Sequence, residues 1–285
     1  MMDNNIVGKV KSALIAAASG YRPDMQEAYR RAIARETGPN ARWAMEQIDT
    51  NCKLARDSRG PLCDDTGIPH LILEVGPDGI VGGHTLEAIR LGVEEGLRAL
   101  PGRPMAVLGD DAQRIGQSAG LSPDPSAVAA APILIVPGGR GAAVRLHVLM
   151  MGSAGAAIRA KTGRVFHMHS ADTVTDEIVA WATEAVGLLG CTPCTLGIGI
   201  GRSHYEATAL TLLSLAEGRY DTQSPLEKEI TARVNECKTG AMGLGGDTSV
   251  LAAFVKVGPQ RASGVRAVCM LPCCCFEPRA AVAEL

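Results

Sequence analysis

Aromatic side chains are scarce in this chain: Phe, Trp and Tyr make up 3% of its 285 residues. That shortage argues against a base-stacking surface for single-stranded nucleic acid. An excess of charge of one sign is missing too. Twenty-eight basic residues against 30 acidic ones leave a formal net charge of −2. No basic footprint exists for nucleic acid, and no polybasic patch for a membrane. No apolar run reaches the roughly 20 residues that a bilayer-spanning helix needs. The polar start, residues 1–6, has no secretory pattern. The expectation is therefore a cytoplasmic protein, where thiols stay reduced. A disulfide framework is also absent. The nine cysteines are odd in number, and Cys273, Cys274 and Cys275 are consecutive, which suits neither pairing nor bridge geometry.

Small residues and apolar content are what the chain has. It is 46% hydrophobic with 33 glycines, enough for a sizeable core packed at close range. Apolar residues fall at helical spacing over 6–19 and 23–36, with breaks at Gly20, Pro23 and Gly38-Pro39. Asn40 is a fair N-cap for a third helix over 41–57. This N-terminal helical cap, about 1–58, leads into a loop at Cys63. A strand follows over 70–75. A helix over 85–99 has Leu86, Ile89, Val93 and Leu97 on one face.

Residues 101–126 are rich in Gly, Pro, Ser and Asp and read as a long functional loop. The apolar runs 131–136 and 144–151 surround Pro137-Gly138-Gly139 and read as a hairpin or adjacent strands. A strand over 163–169 and a helix over 173–189 come next. Residues 195–201 read as a buried strand whose alternate glycines allow close backbone approach. Ser203 caps a helix to Glu217, with Glu206 at the capping-box position. A helix over 226–237, a glycine loop over 240–247 and strands over 250–257 and 265–271 precede a tail that turns at Pro272 and Pro278. No repeat and no clean linker divides the chain. The fold class is α+β: a single mixed α/β domain over 1–285.

Chemistry concentrates at Pro61-Leu62-Cys63-Asp64-Asp65-Thr66-Gly67, where a thiol stands beside two carboxylates on a loop bracketed by proline and glycine. A plain alternative is that the aspartates cap the next element and Cys63 is packed filler. Cys191 and Cys275 also sit at element boundaries beside proline or glycine. The spacing of the three matches neither a zinc ribbon nor a ferredoxin run. Cys191-x-x-Cys194 precedes a strand and does not open a helix, unlike a thioredoxin-type dithiol. Cys52, Cys194, Cys237 and Cys269 lie in apolar patterns and read as core. His167 and His169 point to one face of a strand, but a zinc site needs a third ligand.

Several motifs, in order, resemble the class I, iron–sulfur-dependent fumarate hydratases and the alpha subunit of L-tartrate dehydratase. Cys63-Asp64-Asp65-Thr66-Gly67 is similar to that family's Cys-Gln-Asp-Thr-Gly, with Asp64 in place of glutamine. Cys191-Thr192-Pro193 with Gly197-Ile198-Gly199-Ile200 resembles its Cys-Pro-Pro and Gly-x-Gly-Ile. Residues 240–248 resemble its Gly-x-x-Gly-Leu-Gly-Gly-x-Thr, and Cys275-x-x-x-Arg279 its last Cys-x-x-x-Arg. The segment 259–263 offers Arg261 where the family carries a histidine.

The resemblance implies a hydro-lyase that reversibly dehydrates a small 2-hydroxy dicarboxylic acid of the malate or tartrate kind. It implies a [4Fe-4S] cluster on Cys63, Cys191 and Cys275, with Cys273 and Cys274 as alternatives for the third ligand and one iron open to substrate. Asp65 is the implied catalytic residue. Arg103, Gly152, Ser153, Gly245 and Gly246 are the implied substrate-binding residues, whose plain alternatives are a surface arginine and ordinary tight turns. The family's site is completed by a second domain or a beta subunit, so the implied assembly is an alpha2beta2 heterotetramer or a homodimer of alpha. The rival reading is a zinc-binding or redox-sensing module that uses the same cysteines without catalysis.

Overall fold

Asp3 starts the first helix by accepting the N–H groups of Asn5 and Ile6 on its carboxylate, which satisfies donors the first turn cannot. From there the computed structural model describes residues 3–103, 105–129, 132–139, 143–152, 163–167, 170–262 and 265–285. The fold is α+β. The chain forms two units that are interleaved in sequence. One comprises Met1–Tyr21, Cys52–Gly152 and Arg279–Leu285; the other comprises Arg22–Asn51 and Ser153–Pro278.

The first unit holds α1 (Asn4–Ser19), β1 (Ile68–Val75), α4 (Gly83–Ala99), β2 (Ile133–Pro137), β3 (Val144–Met151) and β8 (Arg279–Glu284). Its sheet runs β2-β1-β3-β8, with β1 and β2 parallel and the other pairs antiparallel. Leu71, Leu73, Leu146, Val148 and Met150 form one face of it, packed with Val10 and Leu14 of α1 and Ile89, Val93 and Leu97 of α4. Each such side chain contributes about 1.5–3 kcal/mol when fully buried. Leu86, expected on the same helix face, is exposed instead. Gly92 and Gly96 let α4 approach α1 closely: a Cβ on Gly92 would stand 2.7 Å from that of Val10.

The expected β2–β3 hairpin does not form. β1 lies between the two strands, and the Gly138 N–H donates to the Val75 carbonyl at the end of β1. Residues 101–126 are also more ordered than expected. They contain α5 (Asp111–Gly116), opened by a reciprocal Asp110–Gln113 capping box, and end within a 3-10 turn at Pro125–Val128.

The second unit contains α2 (Pro23–Arg35), β4 (Gly163–His167), α6 (Ala171–Leu189), β5 (Cys194–Gly201), α7 (His204–Glu217), α8 (Pro225–Asn235), β6 (Val250–Val257) and β7 (Val265–Cys273). Between α2 and these lies α3 (Pro39–Ser58), which begins in this unit and ends in the other. Asn40 thus falls inside its first turn and is not its cap. The sheet order is β4-β7-β5-β6. β5 is buried at every position, as a central strand covered on both faces should be.

Its glycines face α7. A Cβ on Gly197 would lie 2.6 Å from Leu215 Cγ, and one on Gly199 would collide with the Ala207 carbonyl oxygen. Ser203 caps α7 by accepting the Glu206 N–H. The Glu206 carboxylate does not complete the box; it takes the Arg202 N–H and guanidinium. Pro272 lies inside β7 and not at a turn. Among the described residues β4 pairs β7 only as far as Cys269, so no described partner on that side needs an N–H from Pro272.

Gly199→Ala should lower stability by about 1–3 kcal/mol, the usual cost of overpacking. Gly187→Ala in α6, where an added carbon meets nothing within 4 Å, should raise it by about 0.5–1 kcal/mol. Denaturation midpoints of the two variants should move in opposite directions.

Candidate functional site

In the first unit the chain leaves α3 through Arg59, at φ 53°. The Leu62 N–H then donates to the Ala18 carbonyl and the Leu62 side chain is buried. Cys63 follows, half-buried, with its thiol 3.3 Å from Asp64 Oδ1. The Cys63 thiol, the Asp65 N–H and the Arg103 guanidinium together hold the exposed Asp64 carboxyl below the usual carboxylate range. Asp65 turns back on the loop, accepting the Gly67 N–H on Oδ1 at 3.1 Å; the expected capping alternative is partly realised there. Buried Thr66 accepts the Arg103 N–H at 3.1 Å, and the Arg103 side chain reaches Asp64 at 3.4 Å. Arg103 therefore stands at the Cys63 loop.

Arg279 underlies this loop. Its buried guanidinium donates from Nε to the Met150 carbonyl at 3.0 Å. Its Nη1 donates to the carbonyls of Asp65 at 2.9 Å and Thr66 at 3.1 Å. Gly67, at φ 81°, leaves room for it: a Cβ there would lie 2.7 Å from Arg279 Nη2 and 2.9 Å from the Met151 backbone. Gly152 follows Met151 directly, and Ser153 lies outside the described residues.

In the second unit α6 ends at Gly190, φ 77°, and exposed Cys191 follows. The Cys275 N–H donates to the Cys191 carbonyl at 2.9 Å, so two motif cysteines from distant parts of the chain meet backbone to backbone. Tyr29 donates its hydroxyl to the Cys275 carbonyl at 2.5 Å. Cys273 and Cys275 are buried and Cys274 is half-buried. The hydrogen bond with Cys275, then burial, pushes the Cys274 thiol well above its ordinary pKa.

The glycine loop folds over Thr192. The Thr192 hydroxyl donates to the Gly240 carbonyl at 2.5 Å and accepts the Gly243 N–H at 3.3 Å, while the Met242 N–H donates to the Thr192 carbonyl. Gly243, Gly245 and Gly246 have φ of 70°, 74° and 145°, conformations open to glycine.

Fully buried Glu36 holds the far end of that loop. Its carboxylate accepts the N–H groups of Asp247 at 2.8 Å, Thr248 at 3.0 Å and Gly38 at 2.9 Å. Burial pushes its pKa up, but the backbone donors outweigh that and the net shift is down. Asp247 answers by accepting the Thr37 N–H and hydroxyl. The Lys238 ammonium first, then Thr37, pull its pKa down to about 2.

Sequence reasoning missed Glu36 and Tyr29, and gave Arg279 no task beyond its place in a motif. Little local marks Glu36, since its partners other than Gly38 are some 210 residues away in the chain. The expectation of core positions holds for Cys52 and Cys194, but Cys237 and Cys269 are half-buried. Among the described residues no group of three or more His, Cys, Asp or Glu side chains could hold a metal ion as placed. The suggested zinc pair lies outside that search, because His169 and the His167 side chain are outside the described residues.

A family model described as Fumarate hydratase (Fumerase) matches residues 7–284. A Methanocaldococcus jannaschii protein named "Putative L(+)-tartrate dehydratase subunit alpha" is 28% identical over 299 residues, covering 98% of this chain and 97% of that protein.

The Glu36 clamp makes a pH-dependent prediction. A carboxylate whose pKa is lowered on folding stabilises above its unfolded value, about 4.3, and loses that contribution as pH falls through the folded value. Glu36→Ala leaves buried N–H groups without an acceptor, at about 1–3 kcal/mol for each. Urea midpoints of parent and Glu36→Gln should differ at pH 7 and converge on acidification towards pH 3. A gap independent of pH would show that the charge of Glu36 contributes nothing.

Proposed function

The chain belongs to the fumarate hydratase family and is a hydro-lyase; we propose that it is the alpha-type subunit of an iron–sulfur enzyme acting on a small 2-hydroxy dicarboxylic acid. The observation that carries this reading is the backbone hydrogen bond from Cys275 to Cys191. It sets two of the three motif cysteines side by side, with the family's glycine loop laid on the neighbouring Thr192.

Cys63, Cys191 and Cys275 are the proposed holders of a [4Fe-4S] cluster. The donor set suits it, since thiolates are the ligands of iron–sulfur clusters. Cys191 is exposed, and Cys63 is half-buried on a loop fixed from below by Arg279. When bound, the cluster supplies a Lewis-acidic iron, the chemistry that expulsion of a poor leaving group such as hydroxide requires.

The remaining tasks fall to this chain's own side chains. Arg103 offers a planar, permanently charged fork for a substrate carboxylate. Asp65 commits Oδ1 to the Gly67 N–H; its Oδ2 makes no hydrogen bond among the described residues and is assigned the proton that travels with the departing oxygen. Gly152, Ser153 and Gly246 are assigned to the binding of a substrate carboxylate, as glycine-rich loops favour anions; the Gly245 N–H is donated to the Thr239 carbonyl at 2.9 Å, so the assigned part of Gly245 is to shape that loop. The base that takes the carbon-bound proton is assigned to a beta-type partner, because the similar Methanocaldococcus protein bears the name of an alpha subunit. An alpha2beta2 heterotetramer or a homodimer of alpha is the corresponding assembly. Among the described residues no helix is long and apolar enough to cross a membrane, and reduced thiols suit the cytoplasm.

Anaerobic co-production with a beta-type partner should give brown protein that contains iron and sulfide and dehydrates malate or tartrate. Cys63→Ser, Cys191→Ser and Cys275→Ser should each lose cluster and activity, while Cys52→Ser, at a fully buried thiol, should keep both. Colourless protein with stoichiometric zinc would instead support the zinc-binding alternative. Retained cluster in Cys275→Ser, with loss in Cys273→Ser or Cys274→Ser, would move the third ligand.

A further inference from the structure

The second unit has a cleft of about 400 Å³ that no cysteine lines. One wall is a single face of α2: Ala28, Arg31, Ala32 and Arg35, at positions i, i+3, i+4 and i+7. The other is the matching face of α8, with Lys228, Thr231, Ala232 and Asn235 at the same spacing. The alanines keep space between the helices, and the long basic side chains reach over it. The floor is apolar, built on Val250 and buried Tyr220.

Charge in the cleft is unbalanced. Three cations face one carboxylate, Asp247, which is already bound to Lys238 and Thr37. Arg31 has only an exposed Glu27 at 3.9 Å and donates to the Tyr220 carbonyl at 3.4 Å. Arg35 donates its Nε to the Arg31 carbonyl and makes no ion pair among the described residues. Lys228 has no side-chain partner among them either. Arginines and a lysine converging over an apolar floor, in a volume within the usual range for small ligands, suit an organic molecule with two or more negative charges.

The cleft also touches the clamp described above. Arg35 precedes Glu36 in the chain. Asp247 and Thr248, whose N–H groups Glu36 holds, line the cleft as well. We propose that this cleft is a second binding site, for a small multivalent organic anion bearing carboxylate or phosphoryl groups, and that its occupant holds the Glu36 clamp closed. The binding half stands by itself. Any effect on turnover rests on the glycine loop's assigned part in substrate binding.

The test uses the full chain, purified anaerobically, titrated calorimetrically with tricarballylate and separately with inorganic pyrophosphate. Saturable binding of one or both is expected, and the tighter arm identifies the chemistry. Lys228→Ala and Arg35→Ala should each weaken binding about tenfold, and Ala232→Leu should block it by filling the cleft. Arg103→Ala should leave it unchanged, which separates this site from the one assigned to substrate. Hydrogen exchange of the Asp247 and Thr248 amides should slow on binding.

No saturable binding of either anion, or binding indifferent to Lys228 and Arg35, would overturn the site. Binding without slower exchange would overturn the coupling. Iron and sulfide content measured on the same preparation keeps the two readings apart: anion binding to a colourless chain supports the cleft alone, and a brown chain that binds neither anion supports the cluster alone.

Discussion

A buried guanidinium holds the loop on which the proposed chemistry rests. Arg279 leaves the sheet edge at the start of β8 and spends its donors on carbonyls of Met150, Asp65 and Thr66. An isolated charge in the interior costs several kcal/mol, so this position tolerates nothing that cannot donate in the same fork. Lysine would bring the charge but not the planar spread of donors needed to span strand and loop. Gly67 is the other half of the arrangement, since any side chain there would occupy the space of Arg279 Nη2. The motif's arginine and the motif's glycine are thus two sides of one contact.

The second unit solves the same problem with the opposite charge. Its glycine loop presents N–H groups, and a carboxylate is the natural acceptor for them. Glu36 gathers two of them, from Asp247 and Thr248, together with the nearby Gly38 N–H, and Asp247 returns the favour through Thr37. In both units a buried ionised side chain binds backbone groups of a loop. Such contacts fix where a loop lies without consuming the side chains the loop displays. That is what preorganisation of a binding surface requires, and it explains why loops so rich in glycine can hold one shape.

Much of this was legible in the sequence. Periodicity placed the long helices to within a few residues, because α1, α4 and α6 bury clear apolar stripes; short α5 buries no residue and so left no stripe to read. The alternate glycines of β5 announced a close approach, and Leu215 and the Ala207 carbonyl are what approaches. The motifs led to the correct family. What was hidden is long-range. β8 consists largely of alanine and valine after Arg279, and alanine has little preference for strands, so the tail looked like a turn. The two apolar runs at β2 and β3 looked like a hairpin because no local signal tells that β1 will pair between them. The absence of a linker reflects interleaving: the chain passes between its units at several points, so no single segment separates them. Glu36 carried no signal, because a carboxylate before Thr37-Gly38-Pro39 is an ordinary helix ending until its partners are known.

The nine cysteines sort by the same physical logic. Cys52 and Cys194 are sealed inside helix and strand, and burial drives the Cys194 thiol pKa far up, so it stays protonated and inert. Cys237 is the exception outside the motifs. Burial raises its pKa, yet the hydroxyls of Ser249 and Thr239 hydrogen-bond its sulfur and bring the net shift below the ordinary value. Ser249 also accepts the Gly240 N–H, so this thiol shares a partner with the glycine loop and packs as part of its support. Cys63 and Cys191 differ in kind from all of these. Each stands on a loop whose course is fixed through backbone contacts, with its sulfur not sealed in an apolar core. Being held by the backbone is what lets these two thiols remain reachable.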